Sequence, residues 1–586
     1  MKKIGALISA LALVMAGAPA LAAKADTQLQ TLMEDYWQAH LQASPMHASY
    51  IGDKRFNDRL DSVSDQSFVD QRERLDGTLA KLEKISTAKL SEENLVNYEV
   101  FQWMLANERK TLDFDWHTIR FSAIDSWQSN FANLSRMTSF GSEQDYRDYL
   151  KRLKAFERFA NDNMALMAKG IKLGYVQPCE ALDGYEESIS GYVSETPEQS
   201  LFYQPFTRIP ASYGKQLTAE LQAEGKQLID TVINPAYERY LAFYQDSYKP
   251  ACGKSIALSS MPRGRELYDH FVRYYTTVDT DADTVHALGL SEVKRIRGLM
   301  QDIIEEVEFS GSFAEFLAHL RTDPKFYPKD EQSYLQQTAY IAKRIDGKLP
   351  KYFSYLPRNP YGIDPVPAAI APKTTTAYYQ GGAADGSRAG VYFLNTWNLK
   401  SRPLYELTAL TLHESVPGHH LQISIQSELE ALPQFRRNYY IHAYGEGWGL
   451  YSEYLGEEMG MYDTPYDRFG RLVYEMWRAC RLVVDSGMHV KGWSRQRAID
   501  VMADNTALSL HNITAEVDRY ITYPGQALAY KHGELKIREL RAMAEAELGN
   551  DFSLREFHTL VLTSGSVPLT VLEGIVERWI KEQGAG

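Results

Sequence analysis

The sequence predicts a mainly α-helical protein with one small β-sheet, and three observations carry that reading. Apolar and charged residues recur at three- and four-residue spacing over most of the chain, the period of helices that bury one face. Strand-like runs are few; the clearest is Gly390-Val391-Tyr392-Phe393-Leu394-Asn395-Thr396, which follows the turn-prone run 381–386. The composition is that of a globular chain: of 586 residues, 44% are hydrophobic and 24% charged, with no internal repeat or low-complexity tract. Wholesale disorder and collagen-like structure are excluded, and three cysteines cannot build a disulfide scaffold. A net charge of −13 without a dense Lys/Arg run argues against nucleic acid as a partner.

The first element is the N-terminus. Lys2 and Lys3 precede an apolar run from Ile4 to Ala18, and Ala20-Leu21-Ala22 closes it in a small-x-small pattern. This is the layout of a secretory signal peptide over 1–22, with export to a bacterial periplasm. The run falls short of the ~20 apolar residues of a membrane span, none occurs later, and the absence of a cysteine at the cleavage site argues against a lipoprotein. In an oxidising compartment Cys179 and Cys252, both beside prolines in loop-like contexts, could pair; Cys480 reads as a buried helical residue. Helical periods then run over 68–85, 92–110, 145–169, 217–248, 281–308 and 333–345. They resume over 403–430, 434–459, 464–489, 495–502, 515–548 and 554–580. The Pro- and Gly-containing stretch 349–372 separates an N-terminal region, 23–348, from a motif-dense region, 349–586. The two are expected to form one continuous fold, in which the first walls the cleft of the second.

The chemistry concentrates in Leu412-His413-Glu414-Ser415-Val416-Pro417-Gly418-His419-His420. In zinc peptidases His-Glu-x-x-His on a helix places two imidazoles one turn apart, and the Glu beside the first holds a water at the metal. Here Pro417 occupies the i+4 position from His413. On a regular helix i+7 returns to within ~20° of His413 but ~10.5 Å along the axis, and i+6 lies ~240° round. Pro417 removes a backbone donor and clashes with the His413 carbonyl, so the helix must bulge or kink. A bulge absorbing two residues returns His419 to the i+4 role, with Gly418 permitting close approach. His413 and His419 are therefore the preferred ligands, with His420 the alternative and otherwise a neighbour of the site. A third ligand is expected from Ala443-Tyr444-Gly445-Glu446-Gly447-Trp448-Gly449-Leu450-Tyr451, where a carboxylate among aromatic residues is costly unless a cation pairs with it. His442 and Glu453 stand near Glu446 on the same helix and could orient a ligand. The bland alternative pairs Glu446 with Arg478 or Arg481.

These segments, together with Arg481-Leu482-Val483-Val484-Asp485-Ser486-Gly487-Met488-His489, Pro524-Gly525-Gln526-Ala527 and Gly565-Ser566-Val567-Pro568-Leu569, resemble the bacterial domain-of-unknown-function family 885 (DUF885). The resemblance spans nearly all of the chain after residue 22. It implies a large helical zincin-like metallopeptidase fold with the small sheet beside the active-site helix, and one zinc ion per chain. Gly449 stands where the family usually has Ala, a small-for-small change.

The resulting expectation is an exported zinc metallopeptidase that hydrolyses short peptides, with His413, His419 and Glu446 on the metal and Glu414 as general base. Alternatives are hydrolysis of another amide or ester, such as a cell-wall fragment, and a degenerate periplasmic binding protein; a base beside the first His favours catalysis. The chain is expected to be a monomer or homodimer. Tyr520 and Tyr523, flanking Ile521-Thr522, are candidate oxyanion donors. Arg388 and Arg519 are candidates for a substrate carboxylate. The run 391–396, with Tyr392 and Asn395, is read either as an edge strand that pairs with a peptide or as an ordinary core strand. Asp485 and His489, at i and i+4, could hydrogen-bond a ligand or each other.

Overall fold

The structure is a computed structural model describing residues 5–584 except 369, 384, 385 and 387; the side chains of 5–22 and of residue 373 are outside the description. The expected signal peptide, 1–22, thus lies outside the residues described in full. Among the described residues helix accounts for 72% and strand for 3%. Helices α1 (Gly5–Ala43), α2 (Glu92–Thr111), α3 (Glu143–Leu173), α4 (Gly264–Thr276), α5 (Ala282–Glu306) and α6 (Glu331–Asp346) precede the sheet. The sheet comprises β1 (Tyr361–Pro365), β2 (Ala377–Gln380) and β3 (Gly390–Leu394). After it come α7 (Leu407–Glu414), α8 (His419–Glu428), α9 (His442–Glu458) and α10 (Pro465–Val490). The chain closes with α11 (Leu510–Thr522), α12 (Ala529–Leu548), α13 (Leu554–Thr563) and α14 (Leu569–Gly584). No helix among the described residues is long and apolar enough to cross a membrane.

Many helix starts follow from capping chemistry. Ser91, Ser142, Asp281, Asp330, Thr464 and Ser509 each accept a backbone N–H of the first turn, satisfying one of the donors a helix leaves open. Four expected helical runs are broken: 403–430 between Glu414 and His419, 434–459 between Asn438 and His442, and two more at glycine turns. The run 515–548 is interrupted at Tyr523-Pro524-Gly525, where Gly525 takes φ +82°, and 554–580 at Gly565, with φ +67°. A proline follows or precedes each of these turns and cannot continue a helical ladder.

The sheet has the order β1-β3-β2, with β3 parallel to β1 and antiparallel to β2. The run 390–394 is therefore the central strand, hydrogen-bonded on both sides, which overturns the reading of 391–396 as an edge open to a peptide. Its alternating burial places Tyr392 and Leu394 in the interior.

The core crosses position 349. Leu29, Tyr36 and Phe101 belong to the same apolar cluster as Tyr392, Leu412, Tyr444, Trp448, Val484 and Phe557. A second cluster, rich in aromatics such as Phe131, Phe156 and Tyr237, lies entirely between residues 60 and 248. A disulfide joins Cys179 to Cys252 with a Cα–Cα distance of 5.0 Å, and Cys480 is buried as a free thiol. Backbone bonds from Cys179 N to Gly253 O (2.9 Å) and Gly253 N to Gln177 O (3.0 Å) hold the two loops together. Between α5, α10 and α12 the core is ionic: Lys531 is fully buried, with Glu475 and Glu534 at 2.8 Å and Glu292 at 3.1 Å.

Candidate metal centre

The sequence around Pro417 folds as a break between two helices rather than as a bulge in one. Helix α7 ends at Glu414, the Val416–Pro417 peptide is cis, and α8 begins at His419. Ser415 N bonds Thr411 O at 3.0 Å, and Gly418 N bonds Leu412 O at 3.0 Å, folding the link back over the end of α7. This return brings Gly418 so close that a Cβ there would lie 1.9 Å from the His413 carbonyl oxygen. Trp448 fastens the link from α9 by donating Nε1–H to Pro417 O at 2.7 Å.

The break brings together the ends of α7 and α8 and the middle of α9. Glu446 Oε2 lies 3.6 Å from His413 Nε2 and 3.4 Å from His419 Nε2. One nitrogen from each histidine and one carboxylate oxygen all fall within 4.8 Å of one another, forming the one such cluster of potential metal ligands among the described residues. These separations fit a tetrahedral zinc ion: bonds of ~2.0–2.2 Å place neighbouring ligand atoms ~3.3–3.5 Å apart. The donor set, two imidazoles and a carboxylate, leaves a fourth position for water or substrate. His420 turns away; its Nδ1 meets Tyr379 Oη at 2.9 Å and Ser424 Oγ at 3.2 Å, and its ring packs on Tyr361. Burial pushes the His420 imidazole down to about 4.

Behind the cluster, Glu453 Oε1 accepts from His413 Nδ1 at 2.8 Å and lies 3.3 Å from Arg478 NH2. This fixes the tautomer that leaves His413 Nε2 facing Glu446. Arg478 thus pairs with Glu453 and Arg481 with Glu516 (2.8 Å), so neither takes Glu446 as its partner. Gly449 gives the His413 ring its place: a Cβ there would lie 2.7 Å from His413 Cε1.

The charges of the two histidines and the carboxylates depend strongly on one another. Burial disfavours charge on His413, yet Glu446 and Glu453 on its two nitrogens raise it to about 9. Burial likewise opposes a charged Glu446, but the two imidazoles hold it well below the usual carboxylate range. Glu414, 7% exposed, is raised by burial, an effect partly offset by His419 and His413.

The remaining sequence candidates are distributed as follows. Tyr520 is fully buried, donating to Glu516 at 2.7 Å and accepting from Trp477 Nε1 at 3.0 Å and Arg481 Nε at 2.8 Å, so its hydroxyl is not available to a substrate oxyanion. Arg519 is also buried and is held by Glu516 (2.9 Å) and Gln526 (2.5 Å) rather than presented to a substrate carboxylate. Arg388 is exposed and donates to Gly381 O at 2.9 Å. Asn395 is fully buried, and its amide bonds the carbonyls of Ala371, Thr374 and Thr375, a loop-organising role. Asp485 accepts from Tyr268 Oη at 2.7 Å and Gly525 N at 3.1 Å; His489 accepts from Leu258 N at 3.1 Å and donates to Tyr520 O at 2.9 Å. Both tie α10 to its neighbours instead of touching the cluster. His442 meets Gln526 at 3.3 Å and stacks edge-on against Tyr440 and Tyr275, the latter packed on Tyr523. Tyr440 was not legible as a site residue, yet its phenol faces Glu446, and burial together with that carboxylate raises it well above its ordinary value.

Comparison with known proteins places this arrangement in a family. A putative lipoprotein from Colwellia psychrerythraea superposes with a TM-score of 0.88 at 27% identity, covering 95% of this chain and 99% of that one. A putative lipoprotein of unknown function from Shewanella oneidensis does so with a TM-score of 0.73 at 16% identity, covering 94% and 99%, and shares the fold. A carboxypeptidase from Pyrococcus furiosus reaches a TM-score of only 0.31 at 10% identity, covering 90% and 99%, which carries no fold assignment. No curated protein sequence matches. The model of the family described as "Bacterial protein of unknown function (DUF885)" matches residues 45–576, and the chain belongs to that family.

Proposed function

We propose that the protein is an exported zinc-dependent peptidase of zincin-like type acting on short peptides. The observation that carries this reading is the convergence of His413 Nε2, His419 Nε2 and a Glu446 oxygen within 4.8 Å, with Glu414 adjoining the first ligand in the sequence. His413, His419 and Glu446 would hold the ion, which supplies Lewis acidity toward a scissile carbonyl and a neighbouring water. Glu414 takes the proton of the attacking water on its carboxylate and returns it to the leaving amine; a base raised by burial is suited to both transfers. Glu453 holds the His413 ring, and Tyr440 stands beside Glu446 where it can contact a bound peptide. Export is supported by the signal-like segment 1–22 and by the description of the Colwellia relative as a lipoprotein.

Peptide-library digestion read by mass spectrometry tests the reading. The zinc-loaded protein should cleave peptides of roughly ten residues or fewer while sparing unfolded casein-like chains. Glu414→Gln should keep about one metal per chain and lose ~10²–10⁴-fold in rate. Hydrolysis by Glu414→Gln at the wild-type rate would refute the mechanism. Rapid internal cleavage of a long unfolded chain would refute the restriction to short peptides.

A further inference from the structure

The Glu453 carboxylate is held at one oxygen from two directions. His413 Nδ1 donates to Oε1 at 2.8 Å, and Arg478 NH2 reaches the same atom at 3.3 Å. Both partners are almost fully excluded from solvent, with side-chain exposures of 1% for Glu453 and 5% for Arg478. The guanidinium is clamped in turn, its carbon 4.5 Å from the Trp477 ring centroid and 4.7 Å from that of Tyr474, while NH1 donates to Tyr474 O at 3.3 Å. Tyr474, Trp477 and Arg478 lie within about one turn of α10, so the helix itself presents the clamp to Glu453 on α9.

We propose that Arg478 is a positioning residue for the metal centre: it fixes Glu453 Oε1 and so aims the His413 ring at Glu446 and His419. The inference rests on the metal reading of that cluster and deepens it. Three facts point this way. Glu453 is the sole ion-pair partner of Arg478 among the described residues, while Glu406 and Glu414 feel its charge only from beyond contact distance. The adjacent Arg481, one turn on, is committed to Glu516 and Tyr520 and cannot replace it. Against the face of the His413 ring stands Gly449, which has no side chain to hold it, so the Nδ1 bond to Glu453 acts on the ring's rotation together with Glu446 at Nε2 and the edge-on His419 ring. An orienting partner one step beyond a ligand typically changes metal affinity 10–100-fold, and a planar fork between aromatic faces makes arginine non-interchangeable with lysine here.

The test is zinc affinity of the purified full chain, measured by competition with a chromogenic chelator, for Arg478→Met, Arg478→Lys, Glu453→Gln and the corresponding double variants. Arg478→Met should weaken binding about 10–100-fold and Arg478→Lys at least ~3-fold. In the Glu453→Gln background either change should alter affinity less than ~2-fold, because the action passes through that carboxylate. If the Met variant does not fold, the Lys variant and its double cycle decide the matter. Wild-type affinity in both Arg478 variants, or an equal loss in both backgrounds, overturns the proposal. Failure of the wild-type chain to bind zinc overturns the metal reading instead, so the two failures are distinguishable.

Discussion

Gly418→Ala perturbs the turn on which the whole site depends. The new Cβ would meet the His413 carbonyl oxygen at 1.9 Å and that of Leu412 at 2.5 Å, both backbone atoms that no side-chain rotation can move. Restoring a minimal contact of 3.0 Å requires the link and the start of α8 to shift by about 1.1 Å relative to α7. Zinc tolerates ligand displacements of only ~0.2 Å, so His419 would leave its position relative to His413 and Glu446. Overpacking of this kind costs ~1–3 kcal/mol of stability, and we expect zinc affinity to fall ~100-fold, as with the strongest losses of an orienting contact. Chelator competition and thermal unfolding of the apo-protein measure the two effects separately. Gly298→Ala, in α5 with nothing within 4 Å of its Cβ, is the control and should be neutral or slightly stabilising. Wild-type zinc affinity in Gly418→Ala would refute the argument that the tight return at this glycine sets the spacing of the two histidines.

Other consequences concern stability. Lys531→Met removes the one fully buried cation shared by Glu475, Glu534 and Glu292, which keep Arg295, Arg471 and Arg538, and should cost ~1–3 kcal/mol in denaturant unfolding; an unchanged unfolding midpoint would contradict the electrostatic account of the α5–α10–α12 interface. Glu406 is pushed up to about 8 by burial against the opposing pull of Arg402, Arg478 and Arg321. Its protonated form is favoured by the fold, so the stability it contributes is present below pH ~4.5 and lost as pH rises toward 8. Glu406→Gln should therefore unfold at a higher temperature than wild type at pH 8–9, by an amount of roughly 3–5 kcal/mol at most, and show no such advantage near pH ~5; parallel pH profiles would contradict it. Replacing Cys179 and Cys252 by Ala opens a loop spanning 73 residues and should cost ~2–4 kcal/mol, read by urea unfolding with and without reductant.

What the sequence disclosed of the site came from local chemistry. Proline at the i+4 position forbade a regular helix after His413, and the distance to His419 in the chain then required a distortion. That reasoning selects His419 over His420, the pair the structure separates, but not the form of the distortion. A helix that stops and restarts depends on Gly418 N reaching Leu412 O and on Trp448 reaching Pro417 O, contacts made only once α9 is in place. The helical class was readable because most helices bury one periodic face. Strands β1 and β2 were not, since five and four residues, among prolines and glycines, carry too little alternation to register. Their presence on both sides of β3 is what closed the expected peptide edge. Tyr520, Arg519, Asn395, Asp485 and His489 have chemistry suited to a site, yet other partners consume it: residues of the same stretch for Arg519, and segments farther along the chain for Tyr520, Asn395, Asp485 and His489. Tyr440 is the converse, one tyrosine among 38 with no local signal, which gains its place only because the chain entering α9 folds over Glu446.

The central claim is that His413, His419 and Glu446 together bind one metal ion. The most direct measurement is zinc stoichiometry by plasma mass spectrometry after zinc loading and desalting, for wild type and the four single Ala variants at 413, 419, 420 and 446. The account predicts about one zinc per chain for wild type and His420→Ala, and well below that for His413→Ala, His419→Ala and Glu446→Ala. Retention of zinc in His419→Ala with its loss in His420→Ala, or undiminished zinc in all four variants, would contradict it.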